Sequence, residues 1–232
     1  MKNHRSVKTE VVHVVEEMIS PQRLASYLVE SEGNREKAIQ LYQLNNHLSV
    51  ALWEILSLLE VGLRNSLDKH MLLRQSKLGR LEHWIFDDYF ELGRNRYSSE
   101  INQQPYKDIA RAINQVRKNG KLLTPSQIIS ETPFGFWNQL VGSRNKFLWP
   151  DLASAFPYAP TRDQKYVSTL FSDLRDIRNR ISHHHKLHNN AVERGELMIL
   201  ELAKALHPDF ADWISSQSRV SEVRTFYPLR KV

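Results

Sequence analysis

Three residues whose side chains could together cleave a phosphodiester lie in the stretch SDLRDIRNRISHHHKL, residues 172–187. Arg178, Asn179 and His183 follow an R-N-x-x-x-H spacing on a segment with helical periodicity. An arginine supplies fixed positive charge to the anion that develops during phosphoryl transfer. A histidine titrates near neutrality and can accept or donate a proton. The trio therefore predicts RNA cleavage without a metal ion, with these three side chains as the catalytic residues.

The predicted helix places Asn179 and His183 away from its apolar face. At about 100° per residue, the two side chains lie nearly opposite the apolar stripe and should face solvent or a second subunit. Asn179 can also orient the imidazole four residues later through a hydrogen bond. Arg178 lies about 140° from His183, so the two converge only if the helix loosens or a partner chain completes the site. The apolar stripe consists of Leu170, Leu174, Ile177 and Ile181.

Two alternatives use the same segment differently. Arg178 could pair with an acidic residue while His183 is merely exposed, because a three-residue pattern is weak. The histidines could instead bind a metal, since His184 and His188 have helical ligand spacing. Consecutive histidines on a helix point in different directions, however, so neither a metal nor another cofactor is predicted.

A second, similar pattern occurs in LEVGLRNSLDKHM, residues 59–71, where Arg64, Asn65 and His70 have one additional residue in the spacing. Glu60 precedes Arg64 by four residues, which favours an ion pair within the helix. The segment either supports the site and contacts RNA or serves packing alone. Further supporting or RNA-binding candidates are Arg175, Arg180 and His184, with Arg144 among the other basic residues that could follow a phosphate backbone.

The composition favours a basic helical protein. Only 8 of the 232 residues are glycine, which favours helices with short connections. None is cysteine, which excludes disulfides, thiolate metal sites and a cysteine nucleophile. The formal charge of +6 fits a polyanionic partner, although a basic protein without a nucleic-acid role has the same balance. No apolar run has the length of a membrane span, and the N-terminal residues contain no apolar signal core. We therefore expect a cytoplasmic protein that does not associate with membranes.

One all-α domain over 1–232 is the simplest organisation. Residues 1–20 form an N-terminal arm, and residues 35–75 form a long core helix with apolar residues three and four apart. Residues 163–206 hold the motif helix and the helix that follows it. Between these segments, Thr132-Pro133 should open an aromatic-rich helix that ends at Pro150.

Three segments resemble the Abi-like (abortive infection) family of the HEPN superfamily: residues 59–71, residues 174–187, and ETPFGFWNQLVGSRNKFLW at 131–149. One difference is His185-Lys186, where the family pattern leads us to expect an acidic residue. The resemblance implies an HEPN-like helical bundle with additional helices. It also implies a homodimer in which the motif helices of two subunits form one ribonuclease site.

The resemblance further implies metal-independent cleavage in which the ribose 2′-hydroxyl attacks the adjacent phosphate. His183 would then act as general base or acid, Arg178 would stabilise the phosphorane, and Asn179 would orient the pair. Such proteins resemble toxins that act in antiviral defence, and a small non-coding RNA or an antitoxin is an expected partner beside the RNA substrate. The alternative is a helical module that binds RNA, or a toxin partner, without cleaving RNA.

Overall fold

A computed structural model describes residues 9–97, 101–187 and 190–226, and within these ranges all regular structure is helical. The all-α prediction is confirmed. The α-helices are α1 Thr9–Ile19, α2 Pro21–Glu30, α3 Arg35–Lys77, α4 Tyr106–Lys118, α5 Pro125–Ser130, α6 Phe134–Val141, α7 Trp149–Leu152, α8 Gln164–Ser182, α9 Ala191–Leu206, α10 Pro208–Gln217 and α11 Val220–Phe226. Short 3₁₀ helices cover Trp84–Phe86, Ser143–Leu148 and Ala153–Ala155.

The long helix α3 is the element on which most of the others pack. It contains 43 residues, has no proline, and is capped by Asn34, whose side chain accepts a hydrogen bond from the Lys37 N–H. Its buried face is the stripe of apolar residues that the sequence predicts over 35–75. This stripe belongs to the main hydrophobic core and includes Leu44, Leu48, Leu52, Ile55, Leu59, Leu63 and Leu67.

The motif helix α8 packs against α3 where α9 also approaches closely. A Cβ atom placed on Gly195 of α9 would lie 2.9 Å from a methyl group of Leu52 and 3.3 Å from a methyl group of Ile177. The absence of a side chain at Gly195 therefore allows the three helices to meet. Ile177 immediately precedes Arg178, so this junction fixes the position of the motif helix.

The aromatic-rich helix predicted to end at Pro150 is shorter than expected. It ends at Val141, and Gly142 adopts an extended backbone conformation before the 3₁₀ helix begins. The side chain of Gln164 donates hydrogen bonds to the carbonyl oxygens of Val141 and Gly142, both at 3.0 Å. A residue from α8 thus satisfies the carbonyls at the end of α6. The local sequence around α6 does not predict this contact.

The start of this helix also differs from the prediction. Pro133 itself is the N-cap residue, and the Thr132 hydroxyl donates to the Ile129 carbonyl at 2.7 Å instead of capping the helix.

At the N-terminus, part of the predicted arm over 1–20 is helical, since α1 begins at Thr9 and residues 1–8 lie outside the described ranges. Leu24 and Tyr27 of α2 pack with Ala38 and Leu41 of α3 in a small second core. No helix in the described part of the chain is both long and apolar enough to cross a bilayer.

Candidate functional site

The three consecutive histidines lie on the turn that ends α8. His183 is the C-cap residue, and its N–H donates to the Asn179 carbonyl at 3.0 Å. The N–H of His184 donates to Ile181 at 2.9 Å, and that of His185 donates to Arg180 at 2.8 Å. These two bonds, with His184 at φ 55°, form the Schellman arrangement that usually contains glycine at the left-handed position.

Residues from two other helices hold this turn in place. The Arg23 guanidinium of α2 donates to the His184 carbonyl at 2.6 Å. The Lys186 ammonium donates to the Ser26 carbonyl at 3.1 Å and lies 4.6 Å from the centre of the Tyr27 ring. In the buried interior, the Asn45 side chain of α3 accepts from the Leu187 N–H at 2.7 Å. The turn is therefore anchored while the side chains that it carries remain outside.

Asn179 and His183 are exposed, as the helical periodicity predicts. Their relationship differs from the expected one. In the described part of the chain the Asn179 side chain makes no hydrogen bond to the imidazole, and the two residues are joined through the main chain instead. The His183 ring lies 5.8 Å from the ring of His185, tilted by 33°.

Arg178 is half-buried and is held by an aromatic ring. Its guanidinium carbon lies 5.3 Å from the centre of the Trp53 ring, and Nη1 is 3.5 Å from the Ser182 hydroxyl. Its Nε is buried without a hydrogen-bond partner. Within the described ranges no carboxylate pairs with Arg178, which contradicts the alternative of an acidic partner there. The cation is therefore positioned and not neutralised by an acidic side chain.

Arg178 and His183 do not converge within one chain. Trp53, on which Arg178 rests, lines a largely apolar cavity of about 600 Å³ together with Arg23, Val50 and His184. Asn179 and His183 project from another side of α8 and do not line it. The helix does not loosen between Arg178 and His183 to bring them together, since it continues through Ser182.

The second R-N pattern lies farther along α3. Arg64 forms an ion pair with Glu60, as the spacing predicts, and also donates to the Ser130 carbonyl at 3.2 Å. His70 is hydrogen-bonded through Nδ1 to the Ser66 carbonyl at 2.8 Å, whereas Asn65 is exposed. Arg64 lies ~16 Å beyond Trp53 along the helix axis, so the structure does not bring the two patterns together.

The remaining candidates have mixed surroundings. Arg175 forms an exposed ion pair with Asp176 at 3.2 Å, and Arg180 donates to the Lys186 carbonyl at 2.6 Å, which stabilises the turn. His188, which the metal-binding alternative requires, lies outside the described residues. Among those described, no three His, Asp or Glu side chains are placed to hold a metal ion.

The residue that the sequence does not reveal is Trp53. It lies on the outward side of α3, where an aromatic residue carries no motif, and its contact with Arg178 joins helices distant in sequence. A tryptophan outside the apolar stripe of α3 is the local signal that could have identified it.

One of three comparisons with known proteins found a match. The family model for Abi-like protein matches residues 19–189, which include α2 to α8 and the histidine turn. Neither the curated proteins nor the solved structures that were searched gave a match. Since the matched segment covers well over half of the sequence, the chain belongs to the family of Abi-like proteins.

Proposed function

We propose that this protein is a metal-independent endoribonuclease of the HEPN type that acts in defence against phage. The observation that carries the proposal is the pair formed by Arg178, a positioned guanidinium without a carboxylate partner in the described ranges, and the exposed imidazole of His183. Structural arginines usually find an acidic partner, as Arg64 does in this chain. A cation without a carboxylate partner in the described ranges, on the same helix as an exposed histidine, fits a phosphodiester substrate once a second subunit brings the two groups together.

The reaction begins when a base removes the proton from a ribose 2′-hydroxyl, and the oxygen attacks the adjacent phosphorus. The pentacoordinate intermediate carries negative charge, which the Arg178 guanidinium stabilises. The bond from phosphorus to the 5′-oxygen of the next nucleotide then breaks, and an acid donates a proton to that oxygen. The products are a 2′,3′-cyclic phosphate and a 5′-hydroxyl, so neither water nor a metal ion enters the cleavage step.

His183 supplies the base or the acid, and Asn179 contributes an amide that holds the substrate or the imidazole. In a dimer whose α8 helices face each other, the one composite site contains two His183 imidazoles, one for each proton transfer. This arrangement also resolves the separation of Arg178 and His183 within one chain, because Arg178 of one subunit can approach His183 of the other.

An exposed apolar surface next to Arg178 supports such a dimer. Val50 and Val61 are 61% and 56% exposed and lie on the same side of α3 as Trp53. Val50, Met18 and Trp53 line the 600 Å³ cavity beside the histidine turn. A second copy that covers this surface would remove apolar area from water and bring a second motif helix close.

Membership of the Abi-like family supports the biological part of the proposal. A toxin that degrades RNA would stop an infected cell before the phage multiplies, and its activity must be restrained until infection. We accordingly propose a cytoplasmic protein controlled by a small non-coding RNA or an antitoxin, with cellular RNA as the substrate and a formal charge of +6 to attract it.

The test is incubation of purified protein with a mixture of RNAs in the presence of EDTA. We expect products that end in 2′,3′-cyclic phosphate, and no products from the His183→Ala variant. Cleavage that requires a divalent ion would contradict the proposal.

One observation favours a second function, in which the protein binds RNA or a toxin partner without cleavage. Arg178 and His183 face different sides of α8 in the single chain, so a monomer has no complete site. A monomer that retains RNA with steep salt dependence and yields no products would support this alternative.

A further inference from the structure

A second, polar cavity of about 650 Å³ lies between α8 and the turn that follows α6. Its lining contains two arginines, Arg144 and Arg175, together with hydroxyl and amide side chains. This volume lies within the range typical of small-molecule sites. The sequence points to neither the cavity nor its shape, because the cavity exists only where α6 stops early.

The wall of the cavity is fixed by hydrogen bonds behind it. The Asn145 amide donates to the Gln139 carbonyl at 2.8 Å, and the Gln139 amide donates to the Asp108 carboxylate of α4 at 2.9 Å. Gln164 satisfies the carbonyl of Gly142 from the α8 side. The backbone that surrounds the cavity is therefore held before any ligand arrives.

Several lining groups lack a partner within the described part of the chain. Asn138 is 8% exposed, yet its carboxamide makes no hydrogen bond there. Its polar atoms are not fully enclosed, so the carboxamide is available to bond a ligand in the cavity that it lines. Arg144 and Asp173 likewise have no ion pair in these ranges.

The chemistry of the lining matches a nucleotide unit better than a simple anion. Arginine side chains bind phosphate through two parallel hydrogen bonds. The Asp173 carboxylate accepts hydrogen bonds from a ribose hydroxyl or a base amino group, and the Asn138 amide can both donate and accept. In a cavity that binds only phosphate, the negatively charged Asp173 carboxylate would repel the ligand.

The position of the cavity links it to the motif. At about 100° per residue, Ser168, Ser172, Arg175 and Asn179 fall on one face of α8, and His183 continues that face at the helix end. Arg175 lies ~12 Å from His183 along the helix axis. An RNA strand that follows this face of α8 therefore passes from the cavity to His183.

We propose that the cavity is a subsite for single-stranded RNA that holds one nucleotide on one side of the cleaved linkage. This proposal rests on the proposed ribonuclease function, because it assigns the substrate a path along α8. Arg144 and Arg175 bind phosphate, while Asn138 and Asp173 contact the ribose or the base.

The experiment measures RNA binding separately from cleavage. A fluorescent single-stranded RNA is titrated into His183→Ala protein at several salt concentrations, and Ser172→Glu is compared with Ser172→Gln in that background. The two substitutions have the same size, but only glutamate places a negative charge at the cavity. We expect at least tenfold weaker binding for the glutamate variant and a small change for the glutamine variant.

A second variant changes the arginines themselves. Arg144→Gln with Arg175→Gln should weaken binding tenfold or more and lower the salt dependence by about two phosphate contacts. The single variants Arg144→Gln and Arg175→Gln are also compared with Arg162→Gln, which removes one positive charge from an exposed arginine outside the cavity and should leave both values unchanged. The titration is repeated with protein that retains His183 and with 2′-O-methyl RNA, which cannot be cleaved. This control checks that the His183 substitution has not altered binding.

Three results would overturn the subsite: unchanged binding in Ser172→Glu, equal weakening by Ser172→Gln, or displacement of the RNA by equimolar 5′-AMP. The last would assign the cavity to a free nucleotide. Failure of the proposed function is distinguishable, because wild-type protein would then leave RNA intact while Ser172→Glu still weakened binding. Conversely, if the wild type cleaves RNA but the variants bind RNA as tightly as it does, the proposed subsite is wrong and the proposed ribonuclease function stands.

Discussion

The Arg178 guanidinium lies over the ring of Trp53, 5.3 Å from its centre. This contact takes the place of the acidic partner that a half-buried arginine usually has, so the cation is held without being neutralised by a carboxylate. Cation–π contacts of this kind contribute about 0.5–2 kcal/mol, depending on how far water is excluded. Trp53 therefore acts as a positioning residue for the charge that the proposed reaction needs.

Trp53→Leu should lower the cleavage rate about tenfold, which corresponds to the loss of roughly 1.4 kcal/mol of positioning. Trp53→Phe should restore part of the rate, because a phenyl ring also attracts the cation. The pH profile of cleavage should stay the same, since His183 is untouched. Equal losses in the leucine and phenylalanine variants, or wild-type rates in both, would show that the ring does not position Arg178.

Val50→Glu should shift the protein from dimer to monomer, because it places a charge on the exposed apolar side of α3. Light scattering measures the change in mass directly, and RNA cleavage should fall with the dimer. The control is Leu81→Glu, an equally drastic change at a residue that is 99% exposed and lies beyond the far end of α3. A wild-type protein that is monomeric at all concentrations would contradict the composite site.

His184→Gly should raise the free energy of unfolding by about 0.5–1 kcal/mol, since glycine removes the cost of a side chain in the left-handed region. The hydrogen bond from Arg23 to the His184 carbonyl is unaffected by this change. Denaturant unfolding measures the effect. His185→Gly, at a residue outside the left-handed region, should instead lower stability, and the opposite order would disprove the assignment of strain to the turn.

We expect the ion pairs of Glu91 to make the free energy of unfolding fall at acid pH. Its carboxylate accepts paired hydrogen bonds from Arg80 and from Arg74, at distances of 2.7 to 3.1 Å. The hydrogen bonds from Arg80, followed by those from Arg74, lower the pKa of Glu91 from 4.5 to about 2 against the opposing effect of burial. Because the folded-state pKa is the lower one, the stabilisation is complete above pH 4.5 and is lost as the pH falls through about 2.

Comparison of wild type with Glu91→Gln across this range isolates the contribution. The difference in unfolding free energy should be largest above pH 4.5 and shrink toward pH 2. A difference that stays constant with pH would mean that the carboxylate charge contributes nothing there.

The sequence predicts the helices whose apolar residues follow one face, because burial of that face determines both the helix and its orientation. For this reason the long helix α3 and the exposure of Asn179 and His183 agree with expectation. The end of α6 at Val141 does not agree, since the Gln164 side chain of α8 satisfies the carbonyls of Val141 and Gly142. Local sequence patterns do not predict contacts between segments that are distant in sequence.

The same reason explains what the sequence misses at the site. The contact between Arg178 and Trp53 depends on how α8 crosses α3, and a histidine in the left-handed position of the turn has no sequence signal, because glycine is the residue expected there. The helical pattern does place the imidazole outside. It cannot place the guanidinium, whose position depends on a neighbouring helix.

The role of His183 in RNA cleavage is measured most directly by incubating mixed RNAs in EDTA with three proteins: wild type, His183→Ala and His185→Ala. Both histidines are exposed and lie on the same turn, so the third protein is a matched control for any general effect of losing an imidazole. We expect 2′,3′-cyclic phosphate ends from wild type and His185→Ala, and intact RNA with His183→Ala at unchanged thermal stability. Equal cleavage by all three proteins would contradict this role of His183.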